Sequence, residues 1–361
     1  MKIAVFKPTN IRIDNSFATG QHIIFEALNK LDDYEFTYFI DDEKTNFNGI
    51  NTKYLKIDSI KYFLQKVIRK VFKLFYMNIP AYKNLDFSQF DVVITDGIHY
   101  PLISYLENFQ GKIILNDSIT TNYSLDKKRV DYVNKYFKDS IVVVVNDKIP
   151  TIYKNNNLKL NTYTIGHAID IKKINFKQRS YFNGKLISVG RLVEEKGYKY
   201  IIQAIKNLEN TCPFLSLDIY GTGPLYDLIS EQIKELKIDS KVTLFGFIDN
   251  NALLEKLNDY DAFISHPLEM SYIAEAFHMG NMEAMANGLP VITTDCGGVP
   301  YVVKNHAIIT EQRNIISIEK AIVQIMKDEP YYTQLSRDSR KYIENEYILE
   351  IIINKWKLIL A

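Results

Sequence analysis

Short apolar runs rich in β-branched residues recur along this chain, each followed by a loop and a helix-forming stretch. In the first half they are Ile3–Phe6, Asp91–Thr95, Lys112–Leu115, Ser140–Val145 and Thr162–Ile165. In the second half they are Lys185–Val189, Ser216–Tyr220, Val242–Phe245, Ala262–Ser265 and Val291–Thr293. A run that is apolar on both faces needs cover on both faces, which is the signature of a parallel sheet between helices. Gln21–Leu31 and Tyr198–Leu208 are helical stretches of the kind that supply it. So many runs exceed one compact sheet in 361 residues. The pattern predicts an α/β protein of two Rossmann-like, doubly wound parallel-sheet domains.

The domain boundary falls where periodicity fails. Residues 171–182 are polar, follow neither period and read as a linker. This gives a first domain over 1–170, a second over 183–341 and a C-terminal segment over 342–361. That last segment has the pattern of one helix, Tyr342–Leu360, and carries the only tryptophan, Trp356.

Composition narrows the function. Lys and Arg number 44 against 43 Asp and Glu, so no net field attracts nucleic acid. The two cysteines, Cys212 and Cys296, exclude a disulfide scaffold and a four-cysteine zinc site. No stretch is long and apolar enough to predict a transmembrane helix. The opening run is stopped by Lys7-Pro8, too early for a signal peptide. These features predict a cytoplasmic protein.

Ligands of open parallel sheets bind where strand C-termini meet helix N-termini. Arg191 follows the strand Lys185–Val189 and Gly190, and Lys196-Gly197 precede the helix from Tyr198. Two cations at a helix start make an anion site, since unbonded N–H groups add to the side-chain charge. Solvated loop cations are the other reading of these two residues alone. A second candidate is Glu275 to Pro290. Its helix is expected to begin near Met279–Asn281 and to stop at Gly288. Eight residues of helix span about 12 Å, so Glu275 and Glu283 suit the two ends of a sugar nucleotide with the helix N-terminus facing its phosphates. Gly221, Gly223 and Gly297-Gly298 allow tight turns and close approach of a ligand, which strand-to-helix turns require in any case.

Jointly, Gly190-Arg191-Leu192, Glu195-Lys196-Gly197, Tyr220-Gly221-Thr222-Gly223-Pro224, Leu244-Phe245-Gly246-Phe247, Glu275 with Glu283, Ala284 to Ile292, and Gly297-Gly298 match a family in order and spacing over about Leu186–Val303. The chain resembles the family-four retaining glycosyltransferases of the GT-B fold, in which two Rossmann-like domains face a cleft. The resemblance implies a catalytic set of Glu275, Lys196 and Arg191. The two cations would neutralise the donor diphosphate, Glu275 would bind hydroxyls of the transferred sugar, and Glu283 would bind the ribose. It further implies backbone contacts from His278, Met279, Gly280 and Asn281, a base-bordering loop at Phe247, and a sugar-nucleotide-binding role for Gly221 and Gly223. The final helix would cross back to the first domain. No cofactor or metal ion is expected, the nucleoside diphosphate sugar being the donor substrate. Asp41-Asp42 reads as a solvated loop pair.

The first half matches the family less closely. Its glycine-rich loop is reduced to Gly20, which would approach the donor phosphate. Where the family often has a histidine, this chain has Asn116-Asp117, so His99, Asn116 and Asp117 are the acceptor-side candidates. His278 replaces a common glycine. Ser59–Met77 places Ile60, Phe63, Leu64, Val67, Ile68 and Val71 at helical spacing with Lys61, Lys66, Arg69, Lys70 and Lys73 between them. Such a helix either lies in an anionic membrane interface or packs on a core with a cationic outer face. The first alternative adds a membrane surface, at the inner face of the cell membrane, to the expected partners.

The functional expectation is hexosyl transfer, with retention, from a UDP-sugar or a related nucleotide sugar to a glycan or lipid-linked acceptor of a bacterial cell envelope. The rivals are a non-catalytic glycosyltransferase-like subunit and a sugar-nucleotide epimerase on the same fold.

Overall fold

The computed structural model describes residues 1–7, 15–40, 49–56, 58–61, 63–64, 67, 82–96, 103–106, 108–117, 127–271 and 274–361. The chain divides into two compact units. The first runs to Ala168 and takes back Ile352–Ala361, and the second is built from Ile169–Ile351.

The first unit holds strands β1 (Lys2–Lys7), β2 (Glu35–Ile40), β3 (Asn51–Tyr54), β4 (Val92–Asp96), β5 (Lys112–Asp117), β6 (Ile141–Val144) and β7 (Asn161–Thr164). They form a seven-stranded sheet in the order β3-β2-β1-β4-β5-β6-β7, with every pairing parallel. Its helices include α1 (Asn15–Asn29), α2 (Ile103–Leu106), α3 (Lys127–Tyr136) and α4 (Lys148–Asn155). Central β1 pairs on both edges, Ile3 facing Phe36 and Val92, and Ile3 to Phe6 are buried on both faces. That is why its sequence shows no alternation. Phe39 packs edge-on against Phe87 and Phe90 at 5.5 and 5.6 Å.

The second unit holds β8 (Lys185–Val189), β9 (Ser216–Tyr220), β10 (Val242–Gly246), β11 (Ala262–Ile264), β12 (Val291–Thr294) and β13 (Ile308–Thr310). The six-stranded order is β10-β9-β8-β11-β12-β13, again parallel. Its helices are α5 (Tyr198–Asn207), α6 (Tyr226–Glu235), α7 (Asn250–Lys256), α8 (Met279–Asn287), α9 (Val299–Val303), α10 (Ile315–Lys327) and α11 (Glu329–Glu346), and α12 (Leu349–Leu360) follows. On one face, Ile201, Ile202 and Ile205 of α5 join Ile318, Ile322 and Ile325 of α10 in a core over β8 and β9. Each such side chain stabilises the fold by roughly 1.5–3 kcal/mol on burial. Successive strands leave β8 in one direction as β9 and β10, and in the other as β11, β12 and β13. The switch therefore lies at the C-terminal ends of β8 and β11, where such sheets bind ligands.

Two features differ from the sequence reading. Residues 171–182 are not a loose tether. Ile174 and Arg179 are buried, and the Arg179 guanidinium donates to the carbonyls of Asn287 and Leu257 at 2.7 and 3.0 Å. One buried arginine, bonded through both terminal nitrogens, outweighs the polarity of its neighbours. The expected helix Tyr342–Leu360 is two helices, broken at Tyr347-Ile348. There the Tyr347 carbonyl accepts the Ile169 N–H at 2.8 Å and Ile348 forms a parallel bridge with Ile169. Beyond the break, Trp356 stands edge-on to Phe25 at 5.1 Å, and Lys112 Nζ donates to the Ile359 and Leu360 carbonyls at 3.1 and 3.2 Å. A cation on those terminal carbonyls complements the end of α12.

Candidate functional site

The chemistry of the second unit gathers at this switch. After β8, Gly190-Arg191-Leu192 leads into a short 3-10 turn, Glu194–Lys196, that delivers Lys196. The turn ends at Gly197, whose φ is +64° and where a Cβ would lie 2.2 Å from the His266 carbonyl oxygen. Only glycine fits. The Leu268 N–H donates to the Glu195 carbonyl at 2.8 Å, so the loops after β8 and β11 are closed on each other.

Lys196 Nζ donates to Glu275 Oε2 at 2.5 Å, the two side chains being 19% and 14% exposed. Burial pushes the Glu275 carboxyl up, but Lys196, His278 and Arg191 together hold it below its ordinary value. Arg191, half-exposed, lies 3.7 Å from Glu195. The Glu275 carbonyl accepts the Gly298 N–H at 2.7 Å, and a Cβ on Gly297 would lie 2.3 Å from that carbonyl oxygen. The paired glycines thus seat Glu275.

His278 caps α8. Its Nδ1 accepts the Asn281 N–H at 3.2 Å, and its carbonyl accepts the same N–H at 3.1 Å. Burial and the neighbouring Lys196 bring the His278 pKa down to about 4, so the ring is neutral and able to cap. With Asn281 and Met282 bonded to His278, the N–H groups of Met279 and Gly280 have no partner among the described residues. They are the open donors of this helix start.

Asn281 itself departs from the expectation. It is 0% exposed, accepts from Ser265 Oγ at 2.8 Å and donates to Thr293 Oγ1 at 3.0 Å. Its side chain ties β11 and β12 to α8 and its N–H is spent on the cap, so it offers nothing to a ligand. Glu283 is half-buried on α8 and accepts from Asn250 Nδ2 at 3.0 Å. Desolvation raises its pKa to about 7, the Asn250 bond opposing the rise. Gly221 and Gly223 serve packing. At Gly221 (φ +148°) a Cβ would sit 1.8 Å from the Gly190 carbonyl, and at Gly223 it would sit 2.5 Å from that of Leu192. They brace the Arg191 loop. Phe247 is 75% exposed, following Phe245, which stacks on Tyr220 at 4.8 Å.

The first-unit candidates are less open than expected. Gly20 lies inside α1, not in a loop. Asn116 and Asp117 end β5 and are buried, and Asp117 accepts a hydrogen bond from the Tyr153 hydroxyl. His99 and Asp41-Asp42 lie outside the described residues, as does most of Ser59–Met77. Sequence reasoning missed Asn250, which bonds Glu283, and Arg179 and Arg340, which bond the last carbonyls of α8. Each is a single polar residue in an unremarkable context, and the only local signal was the Asp249-Asn250 helix start.

Residues 170–342, just under half of the chain, match the family described as "Glycosyl transferases group 1". They are similar to the glycosyltransferase domain that this family describes. The site described above falls wholly within these residues. The chain is 26% identical, over 69% of its length, to the poly(glycerol-phosphate) alpha-glucosyltransferase of Bacillus subtilis, but spans only 37% of that protein. It is 25% identical to an uncharacterised glycosyltransferase of Haemophilus influenzae over 90% of this chain and 87% of that one. Among solved structures, HepE of Anabaena in complex with UDP superposes with a TM-score of 0.78 at 14% identity, covering 100% and 99% of the two chains. A Rickettsia africae glycosyltransferase gives 0.77 at 16%, covering 99% and 97%. With its two parallel-sheet units, the chain has the GT-B fold.

Proposed function

We propose that this chain transfers a hexosyl group, with retention of configuration, from a nucleoside diphosphate sugar to a hydroxyl of a glycan or lipid-linked acceptor. A UDP-sugar is the favoured donor and cell-envelope polymer synthesis the favoured setting. The observation that carries the reading is the Lys196–Glu275 pair at 2.5 Å beside the helix start with open N–H groups at Met279 and Gly280. Cations and a helix N-terminus suit a leaving diphosphate, and a carboxylate suits sugar hydroxyls. The HepE structure with UDP and the names of the B. subtilis alpha-glucosyltransferase and of the Bacillus anthracis N-acetyl-alpha-D-glucosaminyl L-malate synthase agree with this donor class and with α-linked products.

In the proposed reaction the bond from the anomeric carbon to the β-phosphate oxygen breaks. A bond to the acceptor oxygen forms on the same face, and the acceptor proton passes to the departing phosphate. Arg191, Lys196 and the N–H groups of Met279 and Gly280 stabilise the charge that grows on the diphosphate. Losing one such donor costs about 10²–10³ in rate. Glu275 orients the sugar and Glu283 the ribose. No metal ion enters this scheme.

The test is a panel of UDP, GDP, ADP, CMP and dTDP in thermal-shift assays, followed by donor hydrolysis or transfer with the nucleotide that binds. Ligand at 100 times its Kd adds about 2.7 kcal/mol, a shift of a few degrees. Binding of one nucleotide with turnover of its sugar supports the reading. Binding without turnover favours the non-catalytic subunit, and conversion of the sugar without transfer favours the epimerase.

A peripheral membrane position is part of the same proposal. Among the described residues no helix is long and apolar enough to cross a membrane, while Ile60, Phe63 and Leu64 are exposed. Co-sedimentation with anionic but not zwitterionic vesicles, lost in Phe63→Asp, is the expected outcome. Equal behaviour of both vesicle types and of the variant contradicts it.

A further inference from the structure

Helix α8 has its proposed ligand at one end and two arginines at the other. Arg179 is 4% exposed. Its Nη1 donates to the Asn287 carbonyl at 2.7 Å and to the Lys177 carbonyl at 2.5 Å, and its Nη2 to Asn287 Oδ1 at 2.7 Å and the Leu257 carbonyl at 3.0 Å. No carboxylate lies within ion-pair distance of it among the described residues. Arg340 Nη1 donates to the Ala286 carbonyl at 2.6 Å, while its Nε pairs with Glu344 at 2.8 Å. Ala286 and Asn287 are the last residues of α8, before the left-handed Gly288.

A buried guanidinium without a carboxylate partner is costly. Here carbonyl dipoles compensate it, including the terminal carbonyls of a helix whose C-terminal end carries about −0.5 charge. Neutralising that end leaves the positive end at Met279 and Gly280 unopposed. The helix has 9 residues, about 13 Å at roughly 1.5 Å each.

We infer that Arg179 and Arg340 are positioning residues for the donor diphosphate, acting through α8. They anchor its C-terminal carbonyls and raise the positive potential at its N-terminus. This rests on the reading of that N-terminus as the diphosphate site. A unit charge about 13 Å away, at an effective dielectric near 20, alters the affinity for a charged ligand by several-fold to about tenfold. Arg179 has the larger effect, because Glu344 pairs with Arg340 directly at 2.8 Å, whereas Asp261 acts on Arg179 from beyond ion-pair distance.

The experiment compares UDP with uridine, which lacks the phosphates, on wild type and on Arg179→Gln, Arg179→Lys, Arg340→Gln and Lys196→Ala. Circular dichroism checks each fold. The expected result is UDP affinity about five- to tenfold weaker in Arg179→Gln and about threefold weaker in Arg340→Gln. Uridine stays within twofold in both, and Arg179→Lys returns towards wild type. A purely structural role lowers both ligands equally, and that result overturns the inference, as does unchanged UDP binding in the glutamine variants. If Arg179→Gln does not fold, Arg340→Gln decides alone. Unchanged UDP binding in Lys196→Ala, or none in wild type, instead overturns the diphosphate reading and the inference with it.

Discussion

Lys196 Nζ and Glu275 Oε2, separated by 79 residues in sequence, lie 2.5 Å apart at the strand-order switch of the second sheet. The pair joins the loop after β8 to the segment that leads into α8. It also keeps a largely buried carboxylate ionised against the pull of desolvation.

Removing the cation therefore acts on both stability and activity. Lys196→Ala is expected to lower turnover about 10²–10³-fold and to destabilise the fold by about 3 kcal/mol, since it leaves Glu275 buried without a partner. Because the folded-state pKa of Glu275 is depressed in the wild type, its stabilising contribution is present above the ordinary carboxylate pKa and lost as pH falls through the folded value. The Tm deficit of Lys196→Ala should accordingly be larger at pH 8 than at pH 4. A deficit independent of pH shows that the pair does not set the Glu275 charge.

Glu283 supplies a pH dependence of opposite origin. With its pKa near 7, it is mostly protonated at pH 6 and mostly ionised at pH 8. Only the carboxylate accepts from both ribose hydroxyls, so UDP affinity should fall about tenfold from pH 8 to pH 6. Glu283→Gln should flatten that dependence. A raised folded pKa also means that the ionised group costs stability as pH rises from the ordinary carboxylate value through 7. Glu283→Gln should therefore gain stability at pH 8 and none at pH 4. Calorimetric titrations of UDP and thermal melts at the two pH values check both.

Asn281 is assigned to the scaffold. Asn281→Ala removes the hydrogen bonds to Ser265 and Thr293 in the core. A loss of about 2–3 kcal/mol in chemical denaturation is expected, with UDP affinity of the folded protein changed less than threefold. An affinity loss above tenfold in a protein of normal stability returns Asn281 to the ligand site.

At Gly221 a side chain meets backbone. Gly221→Ala forces a Cβ towards the Gly190 carbonyl and strains a backbone at φ +148°. Both stability, by about 2–4 kcal/mol, and UDP affinity should drop, because the Arg191 loop must move. Wild-type melting and binding would falsify the bracing role.

The continuous apolar runs made much of both sheets legible, since a buried parallel strand has no polar face to disguise it. Glu35–Ile40 (β2) escaped because its run is aromatic, with Ile40 its one β-branched apolar residue, and Thr37 interrupts it. Asn51–Tyr54 escaped because an edge strand keeps its polar residues. In the candidate site, spacing around strand ends and a helix start left Arg191, Lys196, Glu275 and Glu283 with bland alternatives, and the family resemblance made them candidates; the structure brings Lys196 and Glu275 together. The direction of Asn281 was not legible, because one residue's difference along a helix start separates a ligand contact from a core contact. Nor were Arg179 and Arg340, whose partners are backbone carbonyls and leave no residue pattern to read.

The most direct test of the account is an isothermal titration of UDP into the wild-type chain and into Lys196→Ala. One site is expected in the wild type and affinity at least tenfold weaker in the variant, with an unchanged circular dichroism spectrum. Equal affinity in the two proteins, or no binding by the wild type, contradicts it.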